Sequence, residues 1–333
     1  MTLATKSKPL AVLISDVHFA LKTKEIAAMA LRAALIKATA LRVPLIIAGD
    51  LHDTKAILRG ECISAIIRCL SDATVPVKVL VGNHDKIHEK SDDHALEFLR
   101  PYVDLIDSTR FIDEHLGNSV GFIPYQSSTE TFLEELKKFR PGHTIVCHQG
   151  FKGAFMGEYT KDESSISTDL VSDFTIISGH YHRHQSIGTV TYIGTPYTIT
   201  FAESSDGPKG YVILNRDNSV DQVYLNLRKH VTLERNIDNI LDPVTGINSH
   251  DLLWVKVTGT KIELDKLDKK KIGQYLIGHQ NFKLDKIPTD IEIQSMDINK
   301  LSNEEILDKL IDLDSNVLSN SNYLKSLWRE LLK

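Results

Sequence analysis

The chain has 333 residues, 42% hydrophobic and 25% charged, values that exclude a disordered, collagenous or coiled-coil polypeptide and leave room for roughly two domains at about 150 residues each. Lys plus Arg number 39 against 44 Asp plus Glu, a formal net charge of -5, so no global basic field marks a nucleic-acid binder and any such contact must be local. The longest apolar run near the N-terminus, Pro9 to Ile14, is too short for a signal-peptide core and stops at Ser15 and Asp16.

No stretch approaches the roughly 18 apolar residues of a membrane span, and a soluble, cytoplasmic protein is expected. Cys62, Cys69 and Cys147 have no metal-finger spacing and are expected to be reduced packing residues.

In chain order, short runs rich in Val, Ile and Leu occur at Ala11 to Ile14, Leu45 to Ala48, Val77 to Val81, Thr144 to Cys147 and Phe174 to Ile177. Each meets a polar or glycine-bearing turn, the pattern of a buried strand. Helical spacing of apolar residues fills Lys24 to Leu41, Ala56 to Leu70 and Ser128 to Phe139. The alternation predicts an α/β domain around a largely parallel sheet. Alternating runs at Thr189 to Ile193, Tyr197 to Phe201, Tyr211 to Leu214 and Gln222 to Leu225 predict antiparallel strands completing a second sheet.

Beyond about residue 230 a small α+β unit is expected: strands at Leu252 to Val257 and Asp290 to Gln294, and a lysine-rich helix at Lys266 to Leu276. A helical tail follows. Ser302 and Glu305 fit a capping box, and apolar stripes run through Ile306, Leu307, Leu310, Ile311 and Leu313, then Tyr323, Leu324, Leu327, Trp328, Leu331 and Leu332.

Each of the five core strands ends in a metal-binding type of side chain, at the strand end where open α/β sheets place their sites. The first carries Asp16-Val17-His18, whose alternate residues can face one ion. The second carries Gly49-Asp50, where a helix N-cap is the competing reading. The third carries Gly82-Asn83-His84-Asp85, the fourth His148, and the fifth Gly179-His180-Tyr181-His182. Each signal is weak alone; five in one order, each in the same structural position, are not accidents of packing.

This ordered set resembles the calcineurin-like metallophosphoesterase superfamily, whose pattern is Asp-x-His, Gly-Asp, Gly-Asn-His-Asp/Glu, His and Gly-His-x-His. The resemblance implies a four-layer α/β/β/α sandwich holding two metals bridged by one carboxylate. Asp16, His18, Asp50 and His182 would hold one ion, and Asp50, Asn83, His148 and His180 the other. Such a pair polarises a phosphoryl group, supplies a nucleophile at neutral pH and neutralises charge on the attacking and leaving oxygens. Mixed imidazole and carboxylate ligands suit manganese, iron or zinc better than magnesium, and the resemblance implies Mn2+. His84 would face the scissile phosphate, with Asp85 holding its ring.

A narrower resemblance rests on Phe122-Ile123-Pro124-Tyr125, on Gly179 to Gln185, and on Tyr192-Ile193-Gly194-Thr195-Pro196, Phe201-Ala202-Glu203 and Lys209-Gly210. These look like the SbcD-type DNA-repair nucleases, and the length like the compact form of large tailed phages. The resemblance implies manganese-dependent duplex exonuclease and single-strand endonuclease activity, a partner SbcC-type coiled-coil ATPase, and a homodimer within a heterotetramer. It divides the chain into a nuclease domain at 1–228, a capping, DNA-binding domain at 229–298 and a partner-binding tail at 299–333.

There are departures. The family often has an aromatic residue and then a histidine after the aspartate matching Asp50, where this chain has Leu51-His52-Asp53, so His52 is offset by one and would point elsewhere; His184 replaces a frequent proline. Substrate contacts are expected among His52, His184, Arg183 and Lys86, with Lys22, Lys24, Lys90, Lys152 and the run Lys266, Lys269, Lys270, Lys271 as further phosphate contacts. The long Gln149 to Ser172 loop would shape either the substrate groove or the homodimer contact. Two other functions compete: a small-molecule or cyclic-nucleotide phosphodiesterase or phosphatase of the same superfamily, and a metal-free scaffold.

Overall fold

A computed structural model describes residues 7–55, 57–88, 90–111, 120–242, 244–270, 272 and 282–289. It divides into two units: one that runs to Val231 and takes in His250–Leu252, and one made of Thr232–Ser249 and the chain from Leu253.

Among the described residues the first unit has twelve strands: β1 (Pro9–Ile14), β2 (Leu45–Ala48), β3 (Val77–Leu80), β4 (Asp104–Ile106), β5 (Arg110–Phe111), β6 (Val120–Ile123), β7 (Thr144–Cys147), β8 (Thr175–Ser178), β9 (Gln185–Ile187), β10 (Val190–Tyr192), β11 (Gly210–Asn215) and β12 (Val220–Tyr224). One six-stranded sheet has the order β12-β11-β1-β2-β3-β4, the other β5-β6-β7-β8-β10-β9. β1 to β4 are parallel, as are β6, β7, β8 and β10. The crossover helices are α1 (Lys24–Leu41) between β1 and β2, α2 (Gly60–Leu70) between β2 and β3, and α3 (Thr129–Leu136) between β6 and β7.

The alternation of side chains along each strand produces three cores and hence four layers. Val12, Ile14, Leu45, Ile47 and Val79 pack with Ala27, Leu31, Ala34 and Ile66 of α1 and α2. From the opposite face Leu13, Ile46, Ala48 and Leu80 meet Val120, Phe122, Val146 and Ile177 of the second sheet. Ile123, Ile145, Cys147 and Ile176 turn outward onto Phe132 and Leu136 of α3. Runs this apolar on both sides are what a sheet covered on both faces requires. The three cysteines are unpaired and buried.

The structure corrects the reading of residues 189–225. The hairpin β11–β12 joins the first sheet, antiparallel to β1, and β10 lies parallel to β8, so these strands do not all complete a second sheet. Tyr197 to Phe201 is not a strand. Its polar groups go elsewhere: the Tyr197 hydroxyl donates to Val17 O at 2.6 Å, Ile199 N donates to Glu203 Oε2 at 3.1 Å, and Phe201–Glu203 turns as a 3-10 helix.

β13 (His230–Asn236), β14 (Leu252–Gly259) and β15 (Phe282–Pro288), which apart from His230, Val231 and Leu252 belong to the second unit, form a sheet in the order β13-β14-β15, with β14 and β15 parallel. The helix α4 (Lys261–Asp265) starts at Thr260, which forms a capping box with Glu263. It precedes the expected Lys266 to Leu276 helix: Lys266 is the C-cap of α4, Lys269, Lys270 and Ile272 are helical, and residues 271 and 273–276 lie outside the described residues. Asp290 to Gln294 and the whole helical tail also lie outside them. Among the described residues no helix is long and apolar enough to cross a membrane.

Candidate metal centre

The motif residues sit where β1, β2 and β3 of one sheet and β7 and β8 of the other end. Turning abruptly off a strand places Asp16, His18, Asp50 and His180 at φ values of 52, 48, 51 and 87°, a region side chains other than glycine seldom adopt and that clusters at functional sites. The β1 and β2 loops are tied together: Asp16 N donates to Gly49 O at 3.1 Å and His18 N to Asp50 O at 3.0 Å.

The motif glycines are there because nothing larger fits. A Cβ on Gly49 would stand 2.2 Å from His148 Nδ1, one on Gly82 2.2 Å from Asp50 Oδ1, and one on Gly179 2.0 Å from Ser15 Oγ.

The fold brings Asp16, His18, Asp50, Asn83, His148, His180 and His182 together. Asp16, His18 and His182 each offer one ligand atom within 4.8 Å of the others, as do Asp16, Asp50 and His148. His148 Nε2 lies 3.2 Å from Asp50 Oδ2 and 3.0 Å from Asn83 Oδ1, and His180 Nδ1 lies 3.0 Å from the same amide oxygen. His180 N donates to the Asp16 carboxylate at 3.1 Å. Asp16, Asp50 and His148 are at most 2% exposed.

Two observations test whether cations fit. The His148 Nδ1–H donates to Ala48 O at 2.8 Å, so the neutral ring turns a lone pair on Nε2 toward two oxygen acceptors, which calls for positive charge between them. Burial opposes that charge, but Asp50 beside the ring pushes His148 up to about 9. Conversely, although burial resists it, His148, His18 and His84 hold the Asp50 carboxyl far below the usual carboxylate range. Secondly, the buried His18 Nε2 has no hydrogen-bond partner and is aimed at Asp50 Oδ2 and Asp16 Oδ1, 3.8 and 4.0 Å away. An orphaned imidazole nitrogen facing two carboxylates is a ligand set for a divalent cation.

His84 flanks this group, its ring edge-on to His18 at 4.9 Å between centroids. Its main chain donates to Asp50 Oδ1 at 2.9 Å and its Nδ1–H to Asp53 O at 2.7 Å, which leaves Nε2 available. Asp85 does not hold that ring. Its buried carboxylate accepts from His52 N at 3.0 Å and Gly82 N at 2.9 Å, both oxygens thus serving backbone amides that no strand satisfies. Burial, with Asp50 nearby, pushes Asp85 up to about 6.

Sequence reasoning passed over Asp53, whose Oδ1 lies 3.1 Å from His18 Nδ1 while its carbonyl holds His84. Only its place beside Gly49-Asp50 could have signalled it. Tyr125, buried against His148 and His180 at 6.5 and 6.1 Å, is a second wall residue.

The expected substrate contacts separate. His52 is buried, with Nδ1 3.1 Å from Thr54 O, and His184 turns its Nδ1 toward Ile193 O at 3.3 Å. The Lys86 ammonium lies 5.8 Å above the Tyr125 ring, and Arg183 stacks on Phe155 at 4.9 Å, in the loop between β7 and β8. A second cluster, His94, Glu97 and Asp107, is an ion-pair network instead: Arg100 bonds both carboxylates.

The model of the calcineurin-like phosphoesterase family matches residues 11–184. The chain is also 28% identical over 173 residues to exonuclease subunit 1 of Enterobacteria phage T4, an alignment that covers 49% of this chain and 50% of that protein. The chain thus spans about half the length of the curated relative it matches.

Proposed function

The chain belongs to the calcineurin-like phosphoesterase family, and on that premise we propose that it is the nuclease subunit of a DNA-processing complex. The observation that carries the proposal is the convergence of three carboxylate or amide side chains and four imidazoles on one spot, with the unengaged edge of His84 beside it. The similarity to a protein called an exonuclease subunit supports both a DNA substrate and an assembly.

Asp16, His18, Asp50 and His182 would hold one ion and Asp50, Asn83, His148 and His180 the other, Mn2+ being the proposed metal. When bound, the pair supplies Lewis-acid charge neutralisation and an activated nucleophile at neutral pH. The chain's own residues do the rest. The Asp53 carbonyl accepts from His84 Nδ1–H, which leaves Nε2 as the atom that would meet the developing charge on the scissile phosphate or the leaving oxygen. Asp85 supports the Asn83-His84 turn through the Gly82 amide. Arg183 and Lys86 are the cations proposed to hold backbone phosphates; Lys86, 8% exposed, would have to leave the Tyr125 ring to do so.

The activities proposed are duplex exonuclease and single-strand endonuclease action in DNA repair, recombination or replication. The proposed assembly is cytoplasmic: a homodimer joined to an SbcC-type coiled-coil ATPase, residues 229–298 capping the DNA and residues 299–333 docking on the partner. The test is cleavage of end-labelled linear duplex DNA by the purified chain with Mn2+, beside an Asp16→Asn control. Labelled nucleotides released by the wild type alone are expected. Intact DNA together with turnover of a small phosphodiester would overturn the nuclease reading and keep the metal centre.

A further inference from the structure

Gly194-Thr195-Pro196, Glu203 and Lys209 follow the last metal motif in the chain and are not among the seven converging side chains. In the structure their polar groups close on a single residue, His182. Glu203 Oε1 accepts from His182 Nδ1 at 3.0 Å. Lys209 Nζ donates to the main-chain oxygen of His182 at 2.8 Å, and Thr195 adds its amide at 3.0 Å and its hydroxyl at 3.3 Å. Lys209 Nζ in turn lies 3.3 Å from Glu203 Oε2 and donates to Asp206 Oδ2 at 2.8 Å. Glu203 Oε2 also accepts from Ile199 N at 3.1 Å.

Burial is unequal across this group. Glu203 and Lys209 are each 7% exposed, whereas the His182 side chain is 34% exposed. Packing therefore does not by itself fix the ring, and the carboxylate bond to Nδ1 is what holds it. A carboxylate can only accept, so Nδ1 carries the proton and Nε2 keeps its lone pair. Gly194, at φ 78°, lets Thr195 reach the same carbonyl: a Cβ there would stand 2.9 Å from His182 O and 2.8 Å from His184 N.

We infer that Glu203 and Lys209 are positioning residues for His182, Glu203 orienting the ring and fixing its tautomer while Lys209 and Thr195 lock its main chain, so that Nε2 faces Asp16 and His18. The inference rests on the reading of His182 as a metal ligand. It assigns the pair to one ion only, because the Asn83, His148 and His180 group has its own anchors in Ala48 O and the Asp16 carboxylate.

The test is titration of the full chain with Mn2+ by calorimetry, wild type beside Glu203→Ala, Glu203→Gln and Lys209→Met, with thermal unfolding of each recorded without metal. Loss of an outer partner weakens metal binding about 10–100-fold, and Glu203→Ala is expected to do so for one of two ions while sparing the other. Glu203→Gln, which keeps an oxygen for Nδ1 but not its charge, is expected to fall between wild type and alanine, so it serves should the alanine chain not fold.

A folded Glu203→Ala chain that binds two ions as wild type does, or that loses both equally, overturns the clamp: the first outcome leaves the pair a structural ion pair, the second a general support. Wild type that takes up no Mn2+ would instead overturn the metal reading, and the clamp with it.

Discussion

At the scale of the residue, Gly82 and Gly60 make a controlled comparison. Both are glycine at φ below zero, but a Cβ on Gly82 would meet Asp50 Oδ1 at 2.2 Å and Asp50 N at 2.4 Å, whereas one on Gly60 would meet nothing within 4 Å. Gly82→Ala must push the loop that carries Asp50 away from the one that carries Asn83. It is expected to destabilise by about 1–3 kcal/mol, the usual result of overpacking a full site, and to lower the number of Mn2+ ions bound. Gly60→Ala opens α2 and is expected to stabilise by about 0.5–1 kcal/mol through the unfolded chain. Urea midpoints and metal stoichiometry measured on both decide the matter; equal effects would show that glycine flexibility, not the Asp50 contact, is what the motif needs. The glycines and their neighbours were legible in the sequence because they are local: a strand, a sharp turn and a liganding side chain follow one another along the chain. Asp53 was not, since its importance lies in reaching His18 and His84. The expected Asp85–His84 pairing failed for the same reason, adjacency in sequence not being adjacency of side chains.

At the scale of the element, periodicity located what local patterning can locate. Lys24 to Leu41, Leu45 to Ala48 and Thr144 to Cys147 have the expected bounds, because each is a long amphipathic helix or a short apolar run closed by a turn. β4, β5 and β6 were not anticipated: they are two to four residues long, and Val120–Ile123 contains Gly121, made necessary by the Phe139 ring 2.1 Å from where its Cβ would be. The loop from Gln149 to Ser172 has its own order, with pairings of Phe151 with Ile166 and of Phe155 with Lys161. Asp162 organises it, accepting from the Tyr181 hydroxyl at 2.6 Å and from Ser164 N and Ser165 N at 2.9 and 3.0 Å. Burial disfavours its charge, but these donors together hold the carboxyl down to about 2. With the folded value depressed, the stabilisation is complete above the unfolded carboxyl value of about 4 and is lost as pH falls through about 2. Asp162→Ala is therefore expected to lower stability at pH 7 by about 2 kcal/mol, the scale of hydrogen bonds to a charged group, and by much less near pH 2. Denaturation at the two pH values measures it; an equal loss at both would show that the side chain acts by packing rather than charge.

At the scale of the whole molecule, charge sets how the proposed DNA substrate would be bound. A chain of net charge -5 offers a polyanion no long-range attraction, and charges more than a Debye length apart, about 8 Å at physiological salt, are largely screened, so any attraction must come from cations in direct reach of the phosphates. Some of the expected phosphate contacts are engaged with carboxylates: Lys152 lies 3.8 Å from Glu163 Oε2 and Lys24 3.7 Å from Glu25 Oε1. Arg183, stacked on Phe155, is the better-held cation, whereas Lys86 is buried beside Tyr125. Each phosphate neutralised contributes about 0.9 to the slope of log affinity against log salt, so two to five such contacts predict a slope of about -2 to -5. The measurement is fluorescence anisotropy of a labelled duplex end on a His84→Ser chain loaded with Mn2+, which is expected to bind without turning over. A slope near zero would remove every lysine and arginine from the proposed contact. A slope near -10 would require a basic surface well beyond these residues, and the lysines from Lys266 to Lys271 would be the first to substitute. Removing Arg183 alone is expected to reduce the slope by about one, a change that a guanidinium serving only to pack on Phe155 would not produce.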